Sequence, residues 1–306
     1  MSASAPVEEL TPEAPAAPRP SPAAALVRAA RPRQWVKNLL VFAAPAAGGV
    51  LGHGDVIWSA IGAFVAFCLV SSATYMLNDL VDAEADRMHP VKRFRPIAAG
   101  HVTTRAAIGG IAVLLAAGLG LAFIVSWQLG LLLVGYKALT TAYTFRLKHT
   151  PTVDIVVVAS GFMVRAAAGG LAAGIVLSDW FLAVTSFGSL FMVAGKRHGE
   201  LLTSGSSATR PALAGYTLEH LQFVVSTTAA VTIISYCLWA FDHPKTSSIS
   251  WWGLSIVPFV IGILRYGLLV DRGQGGAPEE VMLRDPGMRL IGAVWLLLFL
   301  GSVYIH

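Results

Sequence analysis

Nine apolar segments, at residues 36–51, 56–78, 106–126, 128–145, 153–175, 178–195, 218–241, 250–270 and 288–304, alternate with charged connections. This succession constrains the chain more than any motif within it. A spanning helix takes about 17–25 residues, and backbone groups surrounded by hydrocarbon must bond within their own segment, so each stretch is expected to be a helix. With 55% hydrophobic and only 13% charged residues, a soluble globular domain is excluded. The expectation is an all-α membrane protein, a nine-helix transmembrane bundle over residues 28–306. Residues 1–27, rich in Ala and Pro with Glu8, Glu9 and Glu13, cannot bury enough apolar surface to order and are expected to form a disordered tail.

Charge sets the orientation. The connections 79–105, 146–152, 196–217 and 271–287, with the flank Arg28, Arg31, Arg33 and Lys37, carry nearly all Lys and Arg, while the opposite connections hold only Lys245. The positive-inside rule then places the N-terminus and these connections in the cytoplasm, and nine spans place His306 outside a plasma membrane. The net charge of +5 is thereby a topology signal, and no nucleic-acid partner is implied. Cys68 and Cys237 lie in apolar segments and suggest neither a disulfide framework nor a metal site. The sequence leaves a homo-oligomer open.

The second apolar segment runs into Asn78-Asp79-Leu80-Val81-Asp82-Ala83-Glu84-Ala85-Asp86. On a continuing helix Asp79, Asp82 and Asp86 share a face, and Asn78 lies one turn from Asp82. Carboxylates are costly at a membrane boundary, and Mg2+ takes one or two of them while completing its shell with water and substrate phosphates. With the basic residues Lys92, Arg93 and Arg95 close behind, the pattern points to a magnesium-diphosphate site; the plainer alternative is a solvated acidic helix end. The sixth segment runs into Lys196-Arg197-His198-Gly199-Glu200, four helices later, so a four-helix pseudo-repeat would set the two runs face to face. Ordinary interfacial anchoring is the alternative for Lys196, Arg197 and Glu200.

Arg165 stands about twelve residues into the fifth segment. An arginine at that depth faces a polar interior, where its planar fork suits a phosphate; a buried pair with Asp154 is the alternative. Tyr143 and Lys148 close the fourth segment, and Lys37 and Asn38 open the first. Both sets are also compatible with the interfacial belt.

Asn78-Asp79-x-x-Asp82-x-x-x-Asp86, the Tyr143-to-Lys148 helix end and the nine segments together resemble the UbiA-type intramembrane prenyltransferases, over residues 28–306. The resemblance implies a helical bundle with a central cavity open to the cytoplasm and to lipid, and an acidic motif that binds a diphosphate through Mg2+. Family members carry a second Asp-x-x-x-Asp where this chain has Lys196 to Glu200. That departure, and the start Arg31-Pro32-x-Gln34-Trp35-x-Lys37-Asn38, resemble the branch that transfers phosphoribosyl to a polyprenyl phosphate in actinobacterial cell-wall synthesis. The donor so implied is 5-phosphoribosyl 1-diphosphate and the acceptor a polyprenyl, typically decaprenyl, phosphate. On that reading Asp79, Asp82 and Asp86 hold the metal, and Lys92, Arg93, Arg95 and Lys148 stabilise the leaving diphosphate. Lys196 and Arg197 take the donor's 5-phosphate, Glu200 a ribose hydroxyl, and Arg165 with Lys37 deeper phosphates. An aromatic prenyltransferase of the same fold and a lipid-phosphate transporter are the rival readings.

Overall fold

The computed structural model describes residues 21–204, 211–243, 250–275 and 278–304. The first of them correct the expected tail. Ser21 Oγ accepts the Ala24 N–H at 3.3 Å, Pro22 occupies the first turn, and helix α1 (Pro22–Ala29) follows with Ala25 and Ala29 buried against Met76 and Ala107. Capping and an alanine run suffice to order a segment whose composition had suggested none. Residues 1–20 lie outside the described residues.

The first apolar segment is also not one α-helix. It forms a 3-10 helix over Pro32–Phe42 and then a short α2 (Ala43–Ala47). Pro45 supplies the reason, since it cannot donate to the Val41 carbonyl four residues back and its ring crowds that oxygen. The same carbonyl is covered by Gly169, where a Cβ would overlap it, so the tighter element lies flush against a later helix.

The remaining helices are α3 (Gly54–Val81), α4 (Ala83–Met88), α5 (Thr104–Val125), α6 (Trp127–Phe145), α7 (Val153–Ala173), α8 (Asp179–Ser204), α9 (Leu218–Asp242), α10 (Trp251–Leu269), α11 (Pro278–Arg284) and α12 (Pro286–Tyr304). Their starts carry hydroxyl caps, for example Thr103, Ser126, Thr217 and Ser250, each accepting an N–H three residues on. A π-turn over Val270–Gln274 extends α10, and no strand occurs among the described residues. Among the described residues six helices are long and apolar enough to cross a membrane: α3, α5, α7, α9, α10 with its π-turn, and α12. Large apolar side chains such as Ile108, Val113, Ile124, Leu264 and Leu297 point outward from them, as a bilayer solvent requires. The protein is a multi-pass membrane protein.

Packing forms two neighbouring groups. In the first, α3 packs on α5, α5 on α6, and Pro32–Phe42 fits between α3 and α7 around Val41, Phe67, Leu133 and Tyr136. In the second, α8 packs on α9 and α10 on α12, with Phe191, Val225, Tyr266 and Leu269 in the core; α7 against α8 joins the two. The C-terminal ends of α3, α6 and α8 and the start of α7 bring the charged side chains together at one end of the bundle.

Candidate active site

The acidic run crosses a helix break without losing register. α3 ends at Val81, Asp82 sits at φ −89° and ψ 5°, and α4 begins at Ala83. The Asp82 N–H nevertheless donates to the Asn78 carbonyl at 2.9 Å, and the Asp86 N–H to the Asp82 carbonyl at 2.8 Å. The three carboxylates are then met by three different cations. Arg95 Nη1 lies 3.1 Å from Asp79 Oδ1 and 2.7 Å from Asp86 Oδ2, bridging the two buried acids. Arg31 Nη2 reaches the same Asp79 oxygen, its guanidinium over the Tyr75 ring at 5.4 Å. Its backbone is left-handed at φ 53°, a conformation costing a non-glycine residue about 1–2 kcal/mol, which the ion pair to Asp79 offsets. Lys148 Nζ meets Asp82 Oδ1 at 2.6 Å and ties the acidic run to the connection after α6.

The three acids expected to share one metal face are each paired to a cation in this arrangement. Among the described residues no group of three His, Cys, Asp or Glu is gathered as a metal site, because Asp79 and Asp86 share Arg95 while Asp82 turns to Lys148. The donors still suit a hard cation. Asn78 Oδ1 is buried without a hydrogen-bond partner, one turn from Asp82, and every other candidate ligand is a carboxylate oxygen. The basic run divides too. Arg95 enters the cluster, whereas Arg93 is exposed and stacks over Phe94 at 4.8 Å, and Lys92 is half-buried.

A second cluster forms where α6, α7 and α8 meet. The Tyr143 hydroxyl donates to Asp154 Oδ1 at 2.6 Å. Arg197 grips the same carboxylate bidentately, Nε to Oδ2 at 2.7 Å and Nη2 to Oδ1 at 3.2 Å, and its Nη1 reaches Glu200 Oε2 at 3.2 Å. Both Arg197 and Asp154 are 1% exposed. All three guanidinium nitrogens of Arg197, the expected phosphate clamp, are taken by carboxylates of the chain. Lys196, its half-buried neighbour, and Glu200 remain at the edge of the cluster.

Arg165 lies deeper, and its expected alternative partner, Asp154, belongs to Arg197 instead. Its Nε donates to Asn38 Oδ1 at 2.7 Å, Nη1 to the Gly161 carbonyl at 2.6 Å, and Nη2 to the Tyr136 hydroxyl at 3.3 Å. The Phe67, Tyr136 and Phe162 rings face the guanidinium at 4.9, 5.5 and 5.7 Å. Asn38 passes the network on to Ser71 Oγ and Cys68 Sγ, and Trp35 Nε1 donates to Ser72 Oγ at 3.0 Å. Neutral oxygens and aromatic faces thus hold the cation, and with it the packing of Pro32–Phe42 between α3 and α7. Lys37, half-buried on that element, stands beside this network in sequence. A cavity of about 600 Å³ at the opposite end of the bundle is lined by apolar residues such as Leu51, Leu297 and Leu300 and takes no part in this chemistry.

The profile of the UbiA prenyltransferase family matches residues 39–295. The chain belongs to the UbiA prenyltransferase family. Among its relatives, this family member is 46% identical to the decaprenyl-phosphate phosphoribosyltransferase of Corynebacterium glutamicum, covering 92% of this chain and 87% of that protein. It is 47% identical to the protein of the same name from Mycobacterium tuberculosis, covering 89% and 92% respectively. The fold also matches that of a UbiA homolog from Archaeoglobus fulgidus bound to GPP and Mg2+. There the TM-score is 0.71 at 16% identity, over 92% of this chain and 100% of the other. Two site residues of this UbiA protein escape a sequence reading. Arg31 looks like one of several positive-inside charges, and Asp154 looks like a partner for Arg165; only the chain path shows that they close the two clusters.

Proposed function

We propose that this UbiA family member transfers the 5-phosphoribosyl group of 5-phosphoribosyl 1-diphosphate to a polyprenyl phosphate, releasing diphosphate. The observation that carries this reading is that one acidic cluster, Asp79, Asp82 and Asp86, is accompanied by Lys196-Arg197-His198-Gly199-Glu200 rather than by a second Asp-x-x-x-Asp. A prenyl diphosphate held between two metal-binding acidic motifs has only half its cradle here. Two differently phosphorylated substrates, one bound through a metal and one met by cations, suit the charges better. The near full-length similarity to two decaprenyl-phosphate phosphoribosyltransferases supports the same reading.

Asp79 and Asp82, with Asn78 Oδ1 and Asp86, would hold Mg2+, which when bound supplies Lewis-acid neutralisation of the leaving diphosphate. Arg95 and Lys148, now paired to those carboxylates, are placed to turn toward the diphosphate and stabilise the charge it accumulates, with Lys92 on the same connection. Lys196 and Lys37 supply cations for the donor's 5-phosphate and the lipid phosphate, while Arg197 and Tyr143 hold the Asp154 strut and present Glu200 to a ribose hydroxyl. An acceptor phosphate oxygen attacks the anomeric carbon as the bond to diphosphate breaks. The acceptor is already an anion, so no strong general base is needed, and in-line attack inverts the anomeric centre. Positioning carries most of the acceleration. The charged end faces the cytoplasm, where the soluble donor is found, with a central opening there and toward lipid; the N-terminus is inside and the C-terminus outside. The product, polyprenyl-phosphoryl-5-phosphoribose, serves cell-wall arabinan synthesis.

The test is transfer of label. Purified protein given ribose-labelled donor and decaprenyl phosphate should yield lipid-extractable label with equimolar diphosphate release. Label transferred instead from a prenyl diphosphate to an aromatic acceptor would overturn the proposal.

A further inference from the structure

The connection between α4 and α5 carries a surface that the catalytic reading does not use. Met88, Val91 and Phe94 are 88%, 72% and 70% exposed. They recur every third residue, and the turn over Lys92–Phe94 is a 3-10 helix, whose period of three brings Val91 and Phe94 to one side. The turn is well tied. The Phe94 N–H donates to the Val91 carbonyl at 3.4 Å, and His89 Nδ1 accepts from the Val91 and Lys92 N–H groups at 3.1 and 3.2 Å. An ordered element, not a slack loop, therefore presents the apolar tip.

Charge surrounds it on one side. Arg87 and Arg93 are exposed, the Arg93 guanidinium lies over the Phe94 ring, and residues 87–95 contain no acid. Three large apolar side chains together with exposed arginines fit bulk water poorly. They fit the boundary of a bilayer, where apolar side chains reach the acyl chains and cations meet anionic headgroups. The connection joins α3 and α5, both long and apolar enough to cross a membrane, so it stays on one side of the bilayer and close to its surface.

We infer that the 88–94 turn is seated in the headgroup layer of the leaflet on the acidic-motif side, its apolar tip inserted and its arginines facing anionic headgroups. The next residue, Arg95, bridges Asp79 and Asp86, so the seat fixes one side of the candidate site to the membrane surface. The inference rests on the membrane fold and stands whichever substrates the site takes.

The experiment is spin-label accessibility in nanodiscs of phosphatidylcholine and phosphatidylglycerol, using the full chain. Met88→Cys, Val91→Cys and Phe94→Cys are compared with Glu84→Cys, exposed on α4, in a Cys237→Ser background; Cys68 is 2% exposed and escapes labelling. Collisions with oxygen, which partitions into lipid, should exceed collisions with a water-soluble nickel chelate at 88, 91 and 94. The order should reverse at 84. Chelate access at position 94 equal to that at 84 places the turn in water. Low access to both reagents places it under protein, such as a second copy. Either result overturns the proposal, and three positions guard against one variant failing to insert.

Discussion

Removing Arg197 separates the strut from the phosphate clamp. Its guanidinium makes two bonds to Asp154, at 2.7 and 3.2 Å, with both side chains 2% exposed, and the pair joins α7 to α8. Arg197→Ala takes both guanidinium bonds from the buried Asp154 carboxylate. Removing one member of a buried pair costs about 3–5 kcal/mol, mostly through the charge left uncompensated. The further contact to Glu200, whose side chain is 22% exposed, adds little. For a chain above about 200 residues each kcal/mol lowers the melting temperature by roughly 2 °C, so the expected drop is about 6–10 °C. Asp154→Ala should cost a similar amount. The double variant Asp154→Ala/Arg197→Ala contains no orphaned charge and should fall short of the summed single losses by at least about 1 kcal/mol. Thermal unfolding in detergent, with Michaelis constants for the folded fraction, reads all of this. An Arg197→Ala protein that melts like the parent but binds phosphoribosyl diphosphate more weakly would refute the strut and restore the clamp.

At the acidic cluster, Asp79→Ala or Asp82→Ala should lower turnover at least about a hundredfold, a loss of roughly 2.7 kcal/mol of transition-state stabilisation. Full activity of either variant, or of the parent in excess chelator, would remove the metal. Arg165→Lys keeps the charge but not the fork that joins Asn38, Gly161 and Tyr136, so the melting temperature should fall while folded molecules keep most of their turnover. A stable, inactive variant would instead make Arg165 a phosphate ligand. Hydrogen bonds from Arg265, and one from the Met288 N–H, hold the Asp285 carboxyl at about 2, below the usual value of about 4. A depressed folded-state value means the stabilisation is complete above pH about 4 and disappears as pH falls through about 2. The stability gap between Asp285→Asn and the parent should accordingly close over that range, and a gap unchanged across it would contradict the assignment.

Much of the fold could be read because hydrocarbon allows few choices. Runs as apolar as 56–78 or 218–241 have no alternative to a spanning helix, and α3 and α9 follow them closely. Where a local signal competed with hydropathy, the sequence misled. Pro45 lies inside an apolar run and breaks it through one lost bond to Val41, an effect averaged away in any hydropathy window. The alanines of 22–29 were masked in the other direction, since composition weighed the prolines and missed the Ser21 cap that starts α1.

The site divides along the same line. Asn78, Asp79, Asp82 and Asp86 were legible because their spacing is local to one helix end, and helical geometry fixes which of them share a face. Pairing across the bundle follows no such rule. Asp154 lies 11 residues from Arg165 and 43 from Arg197, yet pairs with the latter, because three turns of α7 separate it from Arg165 by about 16 Å, while its place in the first turn puts it beside α8. Arg31 reaches Asp79 across 48 residues through a left-handed backbone. No local signal singles out either residue: Arg-Pro recurs at Arg19, Arg95 and Arg210, and Asp55, Asp179 and Glu219 also stand in the first turn of long helices.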